Sequence, residues 1–198
     1  MHLKRRLKHK IQMKWTLLLA VFIVAGVETV AQNSFTLSTD QELKVEGTST
    51  IHDWEMISDK AKGSAEIELK GNKITGINSM VINLPATSLK SGKGSMDNNA
   101  YEALNTKEFP EIQFRLVEVK ALTDQSLQAM ANLTIAGNTH LMSFKVDYEI
   151  SGDTMQFIGS FPVNFTQFKM DPPKAMFGTI KTGDKLQISF ETIFKLIK

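Results

Sequence analysis

The sequence predicts an all-β protein, a closed antiparallel sheet of about eight strands accompanied by one short helix. Apolar and polar residues alternate through most of the chain after residue 40, as they do in strands that bury one face. Turn-forming residues such as glycine, asparagine and aspartate separate these alternating segments. The pattern contains no helices long enough to connect parallel strands, and this favours antiparallel neighbours.

Nine segments carry the strand pattern. Residues 140–150 show it most clearly, because apolar side chains there alternate with serine, lysine, aspartate and glutamate. Residues 71–72, 151–153 and 183–184 have the composition of hairpin connections. The predicted strands cover about 42–48, 51–58, 62–70, 73–84, 111–120, 127–135, 140–150, 155–165 and 186–196.

One segment departs from the alternation and predicts a short helix over about 96–105. Ser95 is the predicted N-cap, and Asp97 places a carboxylate in the first turn, where the helix dipole favours it. Asn105 and Pro110 are expected to end the helix. Its single apolar face consists of Met96, Ala100 and Leu104.

Half-apolar strands need either a second layer or closure into a barrel, and closure removes exposed strand edges. An eight-stranded barrel is wide enough for its own side chains or for one small ligand. Small residues on the predicted inward face leave room for a ligand, unless large neighbours cover them. The sequence leaves both alternatives open for Ala65, Ala129, Ala131 and Gly159.

A second irregular segment, 166–183, separates the last two predicted strands and contains two consecutive prolines. Loops of this length are commonly lids or the rims of sites. We therefore expect ligand access at an open barrel end, beside this loop or beside the helix.

Residues 1–31 have the features of a secretory signal peptide. Six basic side chains lead into an apolar run of about 13 residues at 15–27, too short to span about 30 Å of hydrocarbon comfortably. Small side chains then predict cleavage after Ala31. The sequence therefore predicts one domain over 32–198, exported to the periplasm or secreted from a bacterial cell.

Composition narrows the classes of partner and chemistry. The chain has 23 basic and 21 acidic residues, but the first 31 residues hold six of the former and one of the latter. The remainder is slightly acidic and shows no cluster of basic residues, so no nucleic-acid partner is expected. The absence of cysteine excludes disulfides and thiolate nucleophiles.

No catalytic or metal-binding pattern emerges from the sequence, and we predict a protein that is not an enzyme and binds no metal. His52 and His140 are the only histidines after residue 31, and no carboxylates accompany them at metal-ligand spacing. The G-x-S-x-G pattern of serine nucleophiles is missing. The many methionine and phenylalanine residues suit a hydrocarbon ligand, although on composition alone an ordinary filled core accounts for them better.

Several motifs resemble the YceI-like family of lipocalin-like barrels that are associated with polyisoprenoid lipids. Residues 104–114 (LNTKEFPEIQF) are similar to that family's helix-to-strand junction, with Asp97 where the short helix starts. Residues 133–140 (LTIAGNTH) are similar to its L-T-I-x-G-x-T strand and turn. Residues 165–170 and 183–188 are similar to its closing loop and final strand. At the front, residues 49–56 lack the second histidine that the family often carries.

The resemblance implies an eight-stranded antiparallel lipocalin-like β-barrel whose apolar cavity holds a long isoprenoid or quinone-type lipid, without catalysis. The expected role is lipid transport, storage or sequestration, and transient membrane contact and a homodimer are further expectations. The alternative is a filled barrel that acts through its surface and has no lipid ligand. Alternation selects ten inward side chains as contacts of the lipid tail: Trp54, Met56, Phe114, Leu116, Met142, Phe144, Phe157, Phe161, Ile188 and Phe190.

Overall fold

The structure, a computed structural model, describes residues 31–198. The charged and apolar parts of the predicted signal peptide lie outside the described residues. Ala31, after which cleavage is predicted, is the first residue of β1. Cleavage there would leave the rest of β1 in the mature chain.

Ten strands and one α-helix make up the described part of the chain. The strands are antiparallel to their neighbours throughout. The elements are β1 (Ala31–Ser49), β2 (Trp54–Ser58), β3 (Lys62–Leu69), β4 (Ile74–Pro85), α1 (Gly94–Ala103), β5 (Glu111–Leu122), β6 (Ser126–Ile135), β7 (Asn138–Ser151), β8 (Thr154–Asn164), β9 (Lys174–Ala175) and β10 (Ile180–Leu196).

The sheet closes into a barrel because β1, the first strand, pairs with β10, the last. β3 to β8 follow one another around the wall, and β8 pairs with β10. β2 and β3 share one position, and the two-residue β9 lies outside the wall against β10. Eight wall positions result.

An interrupted strand forms the shared position. β3 pairs with residues 31–36 of β1, and β2 pairs with residues 43–47 along the same edge. Gln41 bridges the break between them, because its Nε2 donates hydrogen bonds to the carbonyl oxygens of Ser38 at 3.0 Å and Ala61 at 2.8 Å. These bonds satisfy two backbone carbonyl oxygens at the break in the strand pairing.

The two ends of the barrel differ, and we call the end that carries α1 the mouth and the opposite end the closed end. The connections at the mouth are 50–53, 86–110, 136–137 and 165–179. Those at the closed end are 70–73, 123–125 and 152–153. Buried side chains fill the interior near the closed end, among them Phe35, Ile67, Ile74, Tyr148, Met155 and Phe194.

Three details of the sequence prediction are wrong. β1 starts about ten residues earlier than predicted, because Phe35 and Leu37 continue its inward face across the irregular 38–40 segment. Residues 183–184 lie inside β10 and not in a hairpin turn. α1 begins at Gly94, so the N-cap is Lys93 and not Ser95.

The other end of α1 agrees with the prediction. Leu104 is the C-cap, and Asn105 follows in the left-handed conformation with φ 49°. Asparagine is one of the few residues that adopt this conformation readily at a helix end. Among residues 31–198, no helix is long and apolar enough to cross a membrane.

Candidate functional site

A cavity of about 410 Å³ opens inside the barrel toward the mouth. This volume falls in the range of roughly 300–1,000 Å³ that is usual for small-molecule sites. Its lining on β10 extends from Ile180 to Thr192, about 40 Å of strand at about 3.3 Å per residue. Leu127, Val146 and Phe157 are among the lining residues that also belong to the core near the closed end. The cavity is therefore long enough for an extended chain.

A run of aromatic rings stiffens the cavity wall. The ring centroids of Phe114 and Phe144 are 5.4 Å apart, those of Phe144 and Phe161 are 4.6 Å apart, and both pairs meet edge to face. Phe161 and Phe190 continue the run at 6.4 Å. Edge-to-face contacts fix the ring orientations and leave the wall smooth and apolar.

Each small inward residue lies opposite a large one. The register pairs Ala65 with Met80, Ala129 with Phe144, Ala131 with Met142, and Gly159 with Phe190. Gly159 shows the effect most directly, because a Cβ atom at this position would lie 2.6 Å from the Phe190 ring. The small residues thus make room for large neighbours, and the cavity exists in addition to these pairs.

Trp54 lies across the wall at the mouth. A Cβ atom at Gly47 would come within 2.3 Å of the Trp54 ring, so only glycine allows the indole to lie there. The indole Nε1 donates a hydrogen bond to the Thr48 carbonyl oxygen at 3.1 Å. Trp54 and its neighbour Leu186 both line the cavity near its opening.

Helix α1 forms one side of the rim. Its apolar face, predicted from the spacing of Met96, Ala100 and Leu104, lines the cavity. Asp97 anchors the start of the helix, because its Oδ1 accepts hydrogen bonds from the backbone N–H of Ser91 at 2.8 Å and from the Ser91 hydroxyl at 2.6 Å. The Ser91 hydroxyl bond is the main cause that holds the pKa of Asp97 below its ordinary value.

The 165–179 connection forms the opposite side of the rim. Phe165, Phe168 and Met170 are buried and line the cavity. Asp184 holds the start of this connection, because it accepts hydrogen bonds from the Thr166 hydroxyl at 2.7 Å and from its N–H at 2.9 Å. The Thr166 hydroxyl is also the main cause of a lowered pKa of Asp184.

Polar groups of the lining are concentrated at the mouth. The described lining contains no aspartate or glutamate. Lys44 pairs with Glu46 at 3.2 Å, whereas the exposed Lys93 lies beside the start of α1. The arrangement suits an apolar chain inside the barrel and a polar head group with hydrogen-bond acceptors at the rim. The polar lining residues are Lys44, Ser49, His52, Lys93, Ser95, Asn99, Asn164, Lys174, Thr182 and Thr192.

Nine of the ten residues that alternation selected line this cavity, and Met142 does not. Met142 packs beside the cavity, against both of the larger buried clusters. Alternation missed the residues that irregular segments bring to the rim, including Leu89, Phe168 and Met170. The helical spacing at 96–104 and the length of the irregular segment 166–183 were the two signals that indicated the rim in advance.

The two histidines of residues 31–198 contact different groups and are not paired with each other. His52 is exposed, and its Nδ1 lies 2.8 Å from the Asp53 carbonyl oxygen. His140 contacts the Phe168 ring edge to face, with centroids 5.0 Å apart. Within residues 31–198, no three His, Asp or Glu side chains converge as a metal site would require.

These features define a class of protein, a closed eight-stranded antiparallel barrel that encloses an apolar cavity, as lipocalins do. The profile of the YceI-like domain matches residues 35–194. The chain therefore belongs to the YceI-like family, which confirms the resemblance and the predicted barrel. A search of curated protein sequences found no match.

Solved structures show the same fold. BcnA of Burkholderia cenocepacia is 15% identical, with a TM-score of 0.66 over 79% of this chain and 98% of BcnA. A polyisoprenoid-binding domain from Saccharophagus degradans is 10% identical, with a TM-score of 0.63 over 84% of this chain and all of that domain. The YceI protein of Campylobacter jejuni is 14% identical, with a TM-score of 0.56 over 69% of this chain and 81% of that protein.

Proposed function

We propose that the protein binds the chain of an isoprenoid or quinone-type lipid inside the barrel, for transport, storage or sequestration. The observation that supports this most is the cavity of about 410 Å³, whose lining is predominantly apolar and most of whose polar lining residues lie toward the mouth. The Saccharophagus degradans domain with this fold is described as polyisoprenoid-binding. Binding without catalysis is part of the proposal.

Burial of apolar surface is sufficient to drive such binding. Each methylene that leaves water contributes about 0.8 kcal/mol, so ten contribute roughly 8 kcal/mol before the costs of association. A head group with carbonyl acceptors would meet donors at the rim, such as Asn99, Lys93 and Lys174. Discrimination among lipids would then depend on the head group and on chain length.

The proposed location is the periplasm or the outside of a bacterial cell. This part of the proposal rests on the basic lead and apolar run of residues 1–31. An exported barrel with a closed wall would shield an apolar lipid from water in an aqueous compartment.

Native mass spectrometry of the protein isolated from a bacterial periplasm tests the proposal. We expect the mass of a chain that begins at Gln32, together with one bound adduct. Solvent extraction should identify this adduct as an isoprenoid or quinone. A mass without adduct, unchanged after incubation with menaquinone and prenyl alcohols, would contradict lipid binding and favour the filled, surface-acting barrel. A mass that includes residues 1–31 would contradict only the predicted cleavage and would leave the proposal of lipid binding intact.

A further inference from the structure

The β9–β10 hairpin, residues 174–181, presents apolar side chains to solvent at the mouth. We call it the mouth hairpin. Phe177 at its tip is fully exposed, and the exposed fraction of Met176 is 69%. Ile51, in the neighbouring 50–53 connection, is 61% exposed. Large apolar side chains in such positions commonly mark a surface that a partner covers.

The hairpin holds Phe177 outward at the expense of backbone strain. Met176, Phe177 and Gly178 have consecutive positive φ angles of 49°, 55° and 87°. Only glycine adopts this left-handed conformation without cost, and bulky residues there are true outliers. The ring of Phe177 gains no burial inside the protein in return, so the strain is explained better by an external contact.

Two lysines flank the apolar tip. Lys174 and Lys181 lie directly opposite each other in the ladder between β9 and β10, and both are exposed. Neither lysine has an ion-pair partner in the part of the chain that the structure describes. Like charges directly opposite each other repel, and an anionic partner would relieve this repulsion.

The mouth hairpin is continuous with the cavity opening. Lys174, Ala175 and Ile180 line the cavity at the base of the hairpin, as does Ile51. Hydrogen bonds join the 50–53 connection to the hairpin, because the Thr50 N–H donates to the Lys181 carbonyl oxygen at 3.0 Å. The exposed apolar side chains and the opening therefore belong to the same end of the barrel.

We propose that the mouth hairpin docks the barrel onto an anionic membrane surface. Phe177, Met176 and Ile51 enter the interface between head groups and acyl chains, while Lys174 and Lys181 contact lipid phosphates. Docking in this orientation turns the cavity opening toward the bilayer, so that a lipid passes between the two without crossing water. Membrane docking goes beyond the proposed binding of a lipid in the cavity, and separate experiments measure docking and lipid binding.

A single fluorescent label tests the insertion. The chain has no cysteine, so a thiol-reactive, polarity-sensitive dye labels only Cys introduced by F177C. Leu141, exposed on the outer wall at 57%, provides the matched control L141C. With vesicles of phosphatidylcholine and phosphatidylglycerol, we expect a blue shift of emission for the label at position 177 alone. No shift there, or equal shifts at both positions, would overturn the proposal.

Charge reversal tests the electrostatic part. Each lysine near an anionic surface strengthens binding about fivefold, so K174E/K181E should weaken binding to the anionic vesicles by more than about 25-fold. The control K62E/K145E changes the net charge equally at exposed positions of the wall and should bind like wild type. Equal loss in both double variants would overturn the docking site.

All variants share the same N-terminal segment, so differences among them arise from the substitutions. The native mass of each variant shows separately whether the cavity still retains lipid. Loss of vesicle binding with retained lipid contradicts neither cavity binding nor the fold.

Discussion

Gly159 and Phe190 show how single residues shape the cavity wall. The added Cβ of an alanine would lie 2.6 Å from the Phe190 ring and 3.2 Å from the Lys145 carbonyl oxygen. We expect Gly159→Ala to lower the free energy of unfolding by about 1–3 kcal/mol, because the ring must leave its position in the aromatic run. Urea unfolding measures this change.

Gly94 supplies the control for that measurement. It is exposed, its φ is negative, and a Cβ atom there would meet nothing within 4 Å. Gly94→Ala should therefore leave stability unchanged or raise it slightly, since alanine is favoured in helices. Equal stability of wild type and Gly159→Ala would show that Phe190 moves freely.

Alternation identified the residues that face inward, but it did not show which of them line the cavity. Phe144 and Met142 belong to the same face of β7, yet only Phe144 lines the cavity. Met142 is opposite Ala131 and packs against the surrounding clusters instead. Which inward residue meets a cavity depends on neighbours from distant strands, and a period-two pattern contains no such information.

At the scale of elements, regular strands were predictable and irregular ones were not. The continuous alternation of β7 and β8 placed both strands within a few residues of their observed bounds. β1 was shortened in the prediction because Ser38, Asp40 and Gln41 interrupt its pattern, and the register with β10 shifts there. Bulges of this kind obscure the alternation while the strand continues.

Asp97 fixes α1 to the segment that precedes it, and its contribution should depend on pH. Hydrogen bonds from Ser91 lower the pKa of Asp97 from 3.8, so the folded protein binds the proton more weakly than the unfolded chain. The stabilisation is therefore complete above pH 3.8 and decreases as the pH falls through the lowered pKa.

Asp97→Ala should lower the free energy of unfolding by about 1–3 kcal/mol at pH 7, because the buried carboxylate accepts two hydrogen bonds from Ser91. The difference from wild type should shrink near pH 3. Urea unfolding at both pH values measures it, with Asp97→Asn as the uncharged control. A difference that is the same at both pH values would contradict this role of the charge.

At the scale of the whole molecule, the barrel combines a filled end with an open one. Phe35, Ile67 and Phe194 are almost completely buried near the closed end and provide a core that needs no ligand. The cavity interrupts this core toward the mouth, where α1 and the 165–179 connection replace strand pairing as the rim. The core at the closed end thus includes residues such as Phe35, Ile67 and Phe194 that do not line the cavity, and their packing is separate from ligand binding.

This separation predicts that lipid binding can be removed without unfolding the protein. Ile188 lines the cavity, and Ile188→Trp should occupy part of its volume. Because the cavity has room for the larger ring, the lipid-free protein should lose less stability than the roughly 1–3 kcal/mol that overpacking costs in a filled core. Lipid at a hundred times its Kd should stabilise wild type by about 2.7 kcal/mol but not this variant. Leu141→Trp, on the outer wall, should respond like wild type. Thermal unfolding of wild type and the two variants, with and without the extracted lipid, measures this stabilisation. If the lipid raised the unfolding temperature of Ile188→Trp as much as that of wild type, the lipid would bind outside the barrel.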